Sequence, residues 1–182
     1  MGLPNSHTPV AAIVAVISRH DAALEWAVER AVQYWGPVAR RSPTFAFRET
    51  DYYEPTMGAE LGKTFLSFER LADPSELAAW KHATNAWEAE YATLGRHLEP
   101  RPLNLDPGYI TAAKLVLAST KDHAHRIYLG QQMFAEVTLY LKQGGWQHRD
   151  WTFPDYRRED YQQFFLAVRH DLRQRTPKPG LP

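Results

Sequence analysis

The N-terminal half of the sequence contains apolar segments of differing periodicity, which predict an alternation of strands and helices. Val10–Ile17 is a nearly unbroken apolar run, typical of a strand that is buried on both faces. Asp21–Trp35 repeats apolar residues at helical spacing and stops at a Gly-Pro pair, so we expect an amphipathic helix. Ser42–Arg48 begins with turn residues and then places Phe45 and Phe47 on one face of a strand. Lys63–Leu71 is another strand candidate, with apolar residues on both faces.

A second helix is predicted from a strong start signal. Asp73 is the expected N-cap, Pro74 takes the first helical position, and Glu76 completes a capping box. Apolar side chains then recur at helical spacing until Gly95. The resulting order is β-α-β-β-α, which fits a ferredoxin-like unit better than a doubly wound sheet.

The pattern after residue 103 is less regular. An Asp-Pro-Gly turn signal lies at the centre of Asn104–Tyr109. Thr111–Thr120 is a short apolar run that fits either a helix or a strand, and we favour a short helix because Thr111 is a suitable N-cap. Arg158–Arg173 has inward aromatic and aliphatic residues at helical spacing and predicts a final helix.

A hairpin is predicted where Arg126–Leu129 and Met133–Leu141 flank the three-residue loop Gly130–Gln132. Alternation selects a register with three cross-strand pairs: Leu129 with Met133, Ile127 with Ala135, and Arg126 with Glu136. One face would be apolar and contain Ile127, Leu129, Ala135, Val137, Leu139 and Leu141. The opposite face would contain Arg126, Tyr128, Phe134, Glu136, Thr138 and Tyr140.

These elements predict one α+β domain over residues 10–175. We expect a mainly antiparallel or mixed sheet with helices packed on one face, a ferredoxin-like core, and a C-terminal hairpin and helix. Residues 1–9 are expected to form a flexible lead, and the proline-rich residues 176–182 a loose tail.

Composition supports a folded domain and excludes several kinds of site. Hydrophobic residues make up 44% of the 182 residues, enough for one sizeable core. Cysteine is absent, which removes disulfides, thiolate catalysis and zinc–sulfur sites. The 21 basic residues equal the 21 acidic ones, so no basic excess favours nucleic acid. Without a targeting segment or a membrane-spanning apolar run, we expect a cytoplasmic protein with no membrane association.

Candidate chemistry concentrates around the predicted hairpin. Asp122, His125 and Glu136 are the candidate catalytic residues, because carboxylates and imidazole can move protons near neutral pH. Lys121 and Arg126 are the candidate anion-binding residues, with Glu136 orienting the guanidinium of Arg126. The alternative interpretation of Arg126 and Glu136 is an ordinary surface salt bridge.

Other polar and aromatic residues could complete a substrate-binding rim. These candidates are Lys114, Asp106, Asp51, Tyr53, Tyr128, Asp155 and Arg157. Turn chemistry and aromatic packing are the alternative explanation for the acidic-aromatic loops among them. We assign no metal site, since the His-x-His of His123 and His125 would place His125 on the apolar face. Phosphate-binding loops, dinucleotide fingerprints and HExxH or GxSxG motifs are absent, and no cofactor can be assigned.

Several motifs in sequence order resemble a known bacterial family, domain of unknown function 4416. They are TDYYEPTMG, KTFLSFERLADPSELAAWKHATN, LNLDPGY, KLVLASTKDHAHRIYLG, FAEVTL and WTFPDYR, and the match to the family spans about residues 10–169. The family pattern TKD-x-x-HRIYL is matched by Thr120–Asp122 and His125–Leu129, which leaves His123 at a free position. The resemblance implies no established activity, cofactor or fold.

Two functions remain open from the sequence. The first is a small enzyme that acts on a phosphorylated or carboxylated metabolite or nucleotide. The second is a non-catalytic module that binds a ligand or protein through the polar face of the 126–141 hairpin, and a homodimer is compatible with either. The mixture of Lys, Asp, His and Glu in one stretch favours the enzyme, because a binding surface would need only Arg, Tyr and Thr.

Overall fold

A fully buried strand, β1 (Ala11–Ser18), lies at the centre of an antiparallel sheet in the computed structural model, which describes residues 7–176. It pairs with β4 (Gly62–Phe68) on one side and β5 (Asn104–Ile110) on the other. Burial of every residue of β1 agrees with its unbroken apolar sequence, because each of its two faces packs on a different layer of the core.

The sheet has nine strands in the described residues. The others are β2 (Val38–Arg41), β3 (Phe45–Ala46), β6 (Lys114–Ser119), β7 (Ile127–Gly130), β8 (Met133–Lys142) and β9 (Gly145–His148). The order across the sheet is β2-β4-β1-β5-β6-β8-β7, with β3 paired to β4 and β9 paired to β8. The helices are α1 (Asp21–Trp35), α2 (Glu54–Met57), α3 (Leu77–Thr93) and α4 (Glu159–Arg175).

The first half of the sheet has the predicted ferredoxin-like connectivity. Helix α1 links β1 to β2, α3 links β4 to β5, and the four strands lie in the order β2-β4-β1-β5. The prediction of an α+β domain with an antiparallel sheet is therefore confirmed. The second strand begins earlier in the sequence than predicted, because Val38–Arg41 forms the edge strand β2. Of the predicted segment 42–48, only Phe45–Ala46 is a strand.

Helices cover both faces of the sheet, which corrects one part of the predicted arrangement. Helices α1 and α3 share a core with the β1 face that contains Val14 and Val16. Helix α4 packs on the opposite face, where Phe165 and Val168 join Ile13 of β1. The sequence pattern of α4 showed an apolar stripe but could not show which face of the sheet receives it.

Two segments of the C-terminal half differ from their predictions. Asn104–Ile110 is strand β5 rather than a turn, and residues 114–119 form strand β6 rather than a helix. Pro107 offers no N–H towards β6, and the β5–β6 ladder begins only at Gly108. Gly108 is needed because a Cβ there would lie 2.3 Å from the carbonyl oxygen of Val116.

The hairpin forms, with a tighter turn and a different register at its tip. Ile127 pairs with Ala135 as predicted, but Gly130 rather than Leu129 pairs with Met133. The turn is the two-residue Gln131–Gln132, both with positive φ, which is the backbone of a type I′ turn. The sequence predicted a three-residue loop, because glutamine is not a residue that typically adopts the positive φ of a type I′ turn.

The predicted apolar face of β8 is divided by a bulge between its contacts with Leu115 and Val116 of β6. Val137 consequently packs with the α1–α3 core, and Leu139 packs with the α4 core. Of the predicted polar face, Glu136 and Thr138 are buried.

The predicted flexible lead and loose tail fall mostly outside the described residues, which begin at 7 and end at 176. Within that range, every helix is too short or too polar to cross a membrane.

We expect Gly108→Ala to destabilise the protein by about 1–3 kcal/mol, because the new methyl group overlaps the backbone of Val116. The free energy of unfolding in urea measures this. Gly145→Ala is the matched control, since its Cβ would meet only the side chain of Gln147, at 3.9 Å. Equal losses for the two variants would contradict the close approach of β5 and β6.

Candidate functional site

Polar side chains collect at the end of the sheet where β1 finishes and β4 and β5 begin. Ile17, near the end of β1, pairs with both Lys63 of β4 and Asn104 of β5. Strand β6 runs antiparallel to β5 and brings its last residue, Ser119, to the same end. This end carries two polar clusters, one on each side of the opening between β5 and β6.

The first cluster begins where β5 has no strand partner on its outer side. The backbone N–H of Leu105 donates to Oε1 of Glu88 (2.8 Å), and its carbonyl accepts from Nζ of Lys81 (2.7 Å). Two side chains of α3 thus replace β6 as hydrogen-bond partners of this residue. Both are buried, at 9% and 5% exposure, so the helix places charges where its other inward positions are apolar.

A buried lysine extends the cluster on the α4 side of the sheet. Nζ of Lys63 lies 2.6 Å from Oδ2 of Asp155, and both side chains are at most 5% exposed. The ammonium also lies 4.5 Å from the ring centroid of Tyr156 and 5.0 Å from that of Phe47. An ion pair and aromatic rings together stabilise a charge that burial alone would disfavour.

Asp106 interacts with both buried lysines, with Lys81 by direct contact and with Lys63 through its charge. Its Oδ1 lies 3.1 Å from Nζ of Lys81, and its Oδ2 accepts from the amide of Asn104 (2.8 Å). Burial by itself would raise the pKa of Asp106, but the charges of Lys81 and Lys63 outweigh it and hold the pKa below its ordinary value. We call the whole set the charge network: Lys63, Lys81, Glu88, Arg101, Asn104, Asp106 and Asp155.

Arg101 closes the outer side of the charge network. Its guanidinium donates to Oε2 of Glu88 (2.7 Å) and to the side chain of Asn104. Despite this arginine, burial raises the pKa of Glu88. Arg101 is 37% exposed, so it is the member of this pair that solvent reaches.

The second cluster surrounds the buried carboxylate of Glu136. Its Oε2 lies 2.9 Å from Nε of Arg126 and 3.2 Å from Nε2 of His125, and its Oε1 accepts from the hydroxyl of Thr138 (3.2 Å). Arg126 also donates to Ser119 (2.7 Å). We call these five residues the Glu136 cluster. The side chain of Glu136 is 1% exposed and that of His125 is 21% exposed, so the imidazole is the route by which solvent approaches the carboxylate.

The ring of His125 is held on both faces. It stacks on Trp151 with a centroid distance of 5.3 Å and on His123 with a distance of 5.8 Å. Trp151 is fixed in turn by donation from Nε1 to the carbonyl of Val137 (3.4 Å), in the gap between β7 and β9. A ring oriented by a carboxylate and by stacking is preorganised for proton transfer.

Two adjacent tyrosines connect the clusters. Nζ of Lys121 donates to the hydroxyl of Tyr52 (2.8 Å), which lowers the pKa of Tyr52. The neighbouring Tyr53 is half-buried, and burial followed by the charge of Asp106 raises its pKa. The loop before α2 therefore reaches the Glu136 cluster through one residue and the charge network through the next.

Several candidate residues from the sequence meet at this end of the sheet. His125, Arg126 and Glu136 share one cluster, Lys121 lies beside it, and Tyr53, Asp106 and Asp155 belong to or border the charge network. Five others do not contribute a free side chain to either cluster. Lys114 starts β6 at the far end, Asp51 and Asp122 are exposed, Tyr128 accepts from the backbone of Gln132, and Arg157 donates to the carbonyls of Asp150 and Thr152.

Sequence reasoning missed most of the charge network. Lys81 and Glu88 stand on the same stripe of α3 as the buried Leu77, Thr84 and Tyr91, and charges on a buried stripe were the available signal. Lys63 has no comparable signal, because its partner Asp155 comes from a distant segment. Arg101 and Asn104 are neighbours in the sequence, but no periodic pattern marks their contact. In the described range, no group of three or more His, Asp or Glu side chains is arranged to hold a metal ion.

The shifted carboxyl groups predict opposite pH effects on stability. Because the pKa of Asp106 is lowered, its stabilisation is present at neutral pH and is lost as the pH falls below 3.8. Because the pKa of Glu88 is raised, its charged form costs stability as the pH rises above 4.5. The free energy of unfolding in urea measures both effects. Asp106→Asn should lower it least, relative to wild type, at acid pH. For Glu88→Gln, the free energy of unfolding should rise relative to wild type as the pH rises. The reverse slope would contradict the assignment for that residue.

The Lys63–Asp155 pair should behave as a buried ion pair. We expect Lys63→Met to lower the free energy of unfolding by about 3–5 kcal/mol, because Asp155 is left buried and unpaired. Lys63→Met with Asp155→Leu should recover most of this loss. Arg41→Met is the control, since it removes an exposed pair with Glu25 and should change stability by about 0–1 kcal/mol. A double variant no more stable than the single one would show that the pair itself is needed for folding.

Comparison with known proteins places this chain in a family and supplies no activity. Searches of curated proteins and of solved structures each found no match. A family model described as domain of unknown function (DUF4416) matches residues 8–172, which includes every residue of both clusters. That span is most of the sequence, so the chain belongs to the DUF4416 family.

Proposed function

We propose that this protein is a small cytoplasmic enzyme that acts on a phosphorylated or carboxylated metabolite, nucleotides included, at the Glu136 cluster. His125 is the general acid or base of this proposal. The contact that supports it is that of the buried Glu136 carboxylate with Nε2 of His125, at 3.2 Å. A nearby carboxylate that fixes an imidazole is the arrangement used for proton transfer in many hydrolases and transferases.

The contact also defines which ring nitrogen reacts. A carboxylate only accepts hydrogen bonds, so Nε2 of His125 is the donor in this contact, and in the neutral ring Nδ1 keeps its lone pair. None of the hydrogen bonds within residues 7–176 uses Nδ1. Nδ1 is therefore the atom that would take a proton from a bound substrate or return one to it.

Lys121 is the cation best placed to hold the substrate anion. It is exposed, and its side chain is held by Tyr52. Arg126 has a different role in this proposal from the one suggested by the sequence. Its side chain is 5% exposed and bonds Glu136, Ser119 and the carbonyl of Lys121, so it positions the cluster instead of the ligand.

A non-catalytic binding module is the alternative. The proposed binding surface was the polar face of the hairpin, but Glu136 and Thr138 are only 2% and 0% exposed. The face therefore offers fewer free polar groups than the sequence suggested. The experiment below distinguishes the two functions.

Binding is tested first, by thermal shift against nucleotides, sugar phosphates and small carboxylates. We expect at least one class to raise the unfolding temperature, and Lys121→Ala to weaken binding about tenfold or more. Lys114→Ala is the matched control, because it removes an exposed lysine from the far end of β6. If the two variants weaken binding equally, Lys121 is not part of the binding site.

Turnover is tested next, by following the bound compound with NMR or mass spectrometry. We expect His125→Gln to reduce conversion by about 10²–10⁴-fold and to leave affinity nearly unchanged, since the glutamine amide can still donate to Glu136. Binding without conversion by the wild type would support the non-catalytic module. Conversion that is unaffected by His125→Gln would reject His125 as the acid or base.

A further inference from the structure

A cleft of about 320 Å³ opens at the end of the sheet opposite to the charge network. It lies between the last turn of α1, with Tyr34 and Trp35, and the connection from β4 to α3. Val10, just before β1, pairs with Ala72 of this connection, which places the cleft at the opposite end of β1 from the residues around Ile17. Its volume is in the range of small-molecule sites.

Trp35 forms a rigid wall of the cleft. The residue is 5% exposed, and its Nε1 makes no hydrogen bond within the described residues. Its ring is fixed by stacking on Phe68 at 5.1 Å and by edge contacts with Trp80 and Trp87. Nε1 itself has almost no accessible surface, so the ring bounds the cleft without offering it a donor.

Charges of both signs line the same cleft. Arg70 is exposed, and its guanidinium makes no hydrogen bond or ion pair to any residue between 7 and 176. Glu76 supplies a carboxylate whose Oε2 lies 3.4 Å from Nε1 of Trp80. Both oxygens of Asp73 are already engaged, by the backbone N–H of Ser75 and by Nε2 of His7. Burial and the charge of Glu76 raise the pKa of Tyr34, consistent with their closeness.

The end of α1 adds to the negative side. No basic residue lies in its last turn, although the C-terminus of a helix favours a cation. Tyr34 presents an aromatic ring there, 44% exposed, and an ammonium group can lie over such a ring. The cleft thus has an anion-binding side at Arg70 and a cation-binding side at Glu76 and Tyr34.

We propose that this cleft binds a small zwitterion with one carboxylate and one ammonium group, of which a free α-amino acid is the simplest kind. The carboxylate pairs with Arg70. The ammonium is held by Glu76 beside the ring of Tyr34. The site is separate from the Glu136 cluster and does not depend on the function proposed for it.

The first test measures binding of the twenty common α-amino acids to the full chain by thermal shift and calorimetry. We expect binding by at least one, and we expect its amine and carboxylate analogues, each lacking one charge, to bind at least about tenfold more weakly. Absence of binding by all twenty would overturn the proposal. An analogue with a single charge that binds as tightly would also overturn it, because only one side of the cleft would then be used.

The second test removes each side of the cleft. Arg70→Gln and Glu76→Gln change exposed side chains and should each reduce affinity at least about tenfold, with Arg48→Gln and Glu29→Gln as exposed controls that leave it unchanged. Retained affinity in Arg70→Gln or Glu76→Gln would reject this cleft as the site.

A last variant separates this proposal from the enzymatic one. Lys121 lies at the other end of the sheet, so Lys121→Ala should leave amino-acid binding unchanged. If it abolished amino-acid binding, the ligand would be bound at the Glu136 cluster and the cleft would be rejected. If amino acids bind and no anionic metabolite does, the cleft is supported and the proposed function fails alone.

Discussion

The separation of β5 from β6 before Gly108 is the constraint on which the polar end of the molecule depends. Pro107 has no N–H to offer β6, and Gly108 permits the close approach where the ladder begins. The backbone of Leu105 is then left without a strand partner, and α3 supplies Lys81 and Glu88 in its place. A local property of two residues thus determines where charges are buried.

Once charges lie inside, further charges must balance them. Asp106 compensates Lys81, Arg101 compensates Glu88, and Asp155 compensates Lys63. Such pairs stabilise a fold only weakly compared with apolar packing, because each ion loses its hydration. The charge network therefore has a structural explanation, which is the edge of β5 that lacks a strand partner. The Glu136 cluster has a different origin, because Arg126 and His125 come from a loop and meet one buried carboxylate.

The two proposed sites lie at opposite ends of β1, and each has one group whose situation calls for a partner. At one end that group is the imidazole of His125, held through Nε2 with Nδ1 unused. At the other end it is the guanidinium of Arg70, which makes no hydrogen bond or ion pair within residues 7–176. Membership of the DUF4416 family leaves both assignments to experiment, since the family description names no activity.

The sequence by itself determined the elements whose signals are local. The unbroken apolar run of β1, the cap at Asp73 and the pairing of Ile127 with Ala135 were readable, because periodicity and capping act over a few residues. Arg126 and Glu136 were also paired correctly, since the hairpin places them near each other. Tertiary structure alone decided that α4 covers the second face, that residues 114–119 are a strand, and that Lys63 meets Asp155. Those outcomes depend on contacts between segments far apart in the chain, and no local pattern encodes which distant segment will supply the partner.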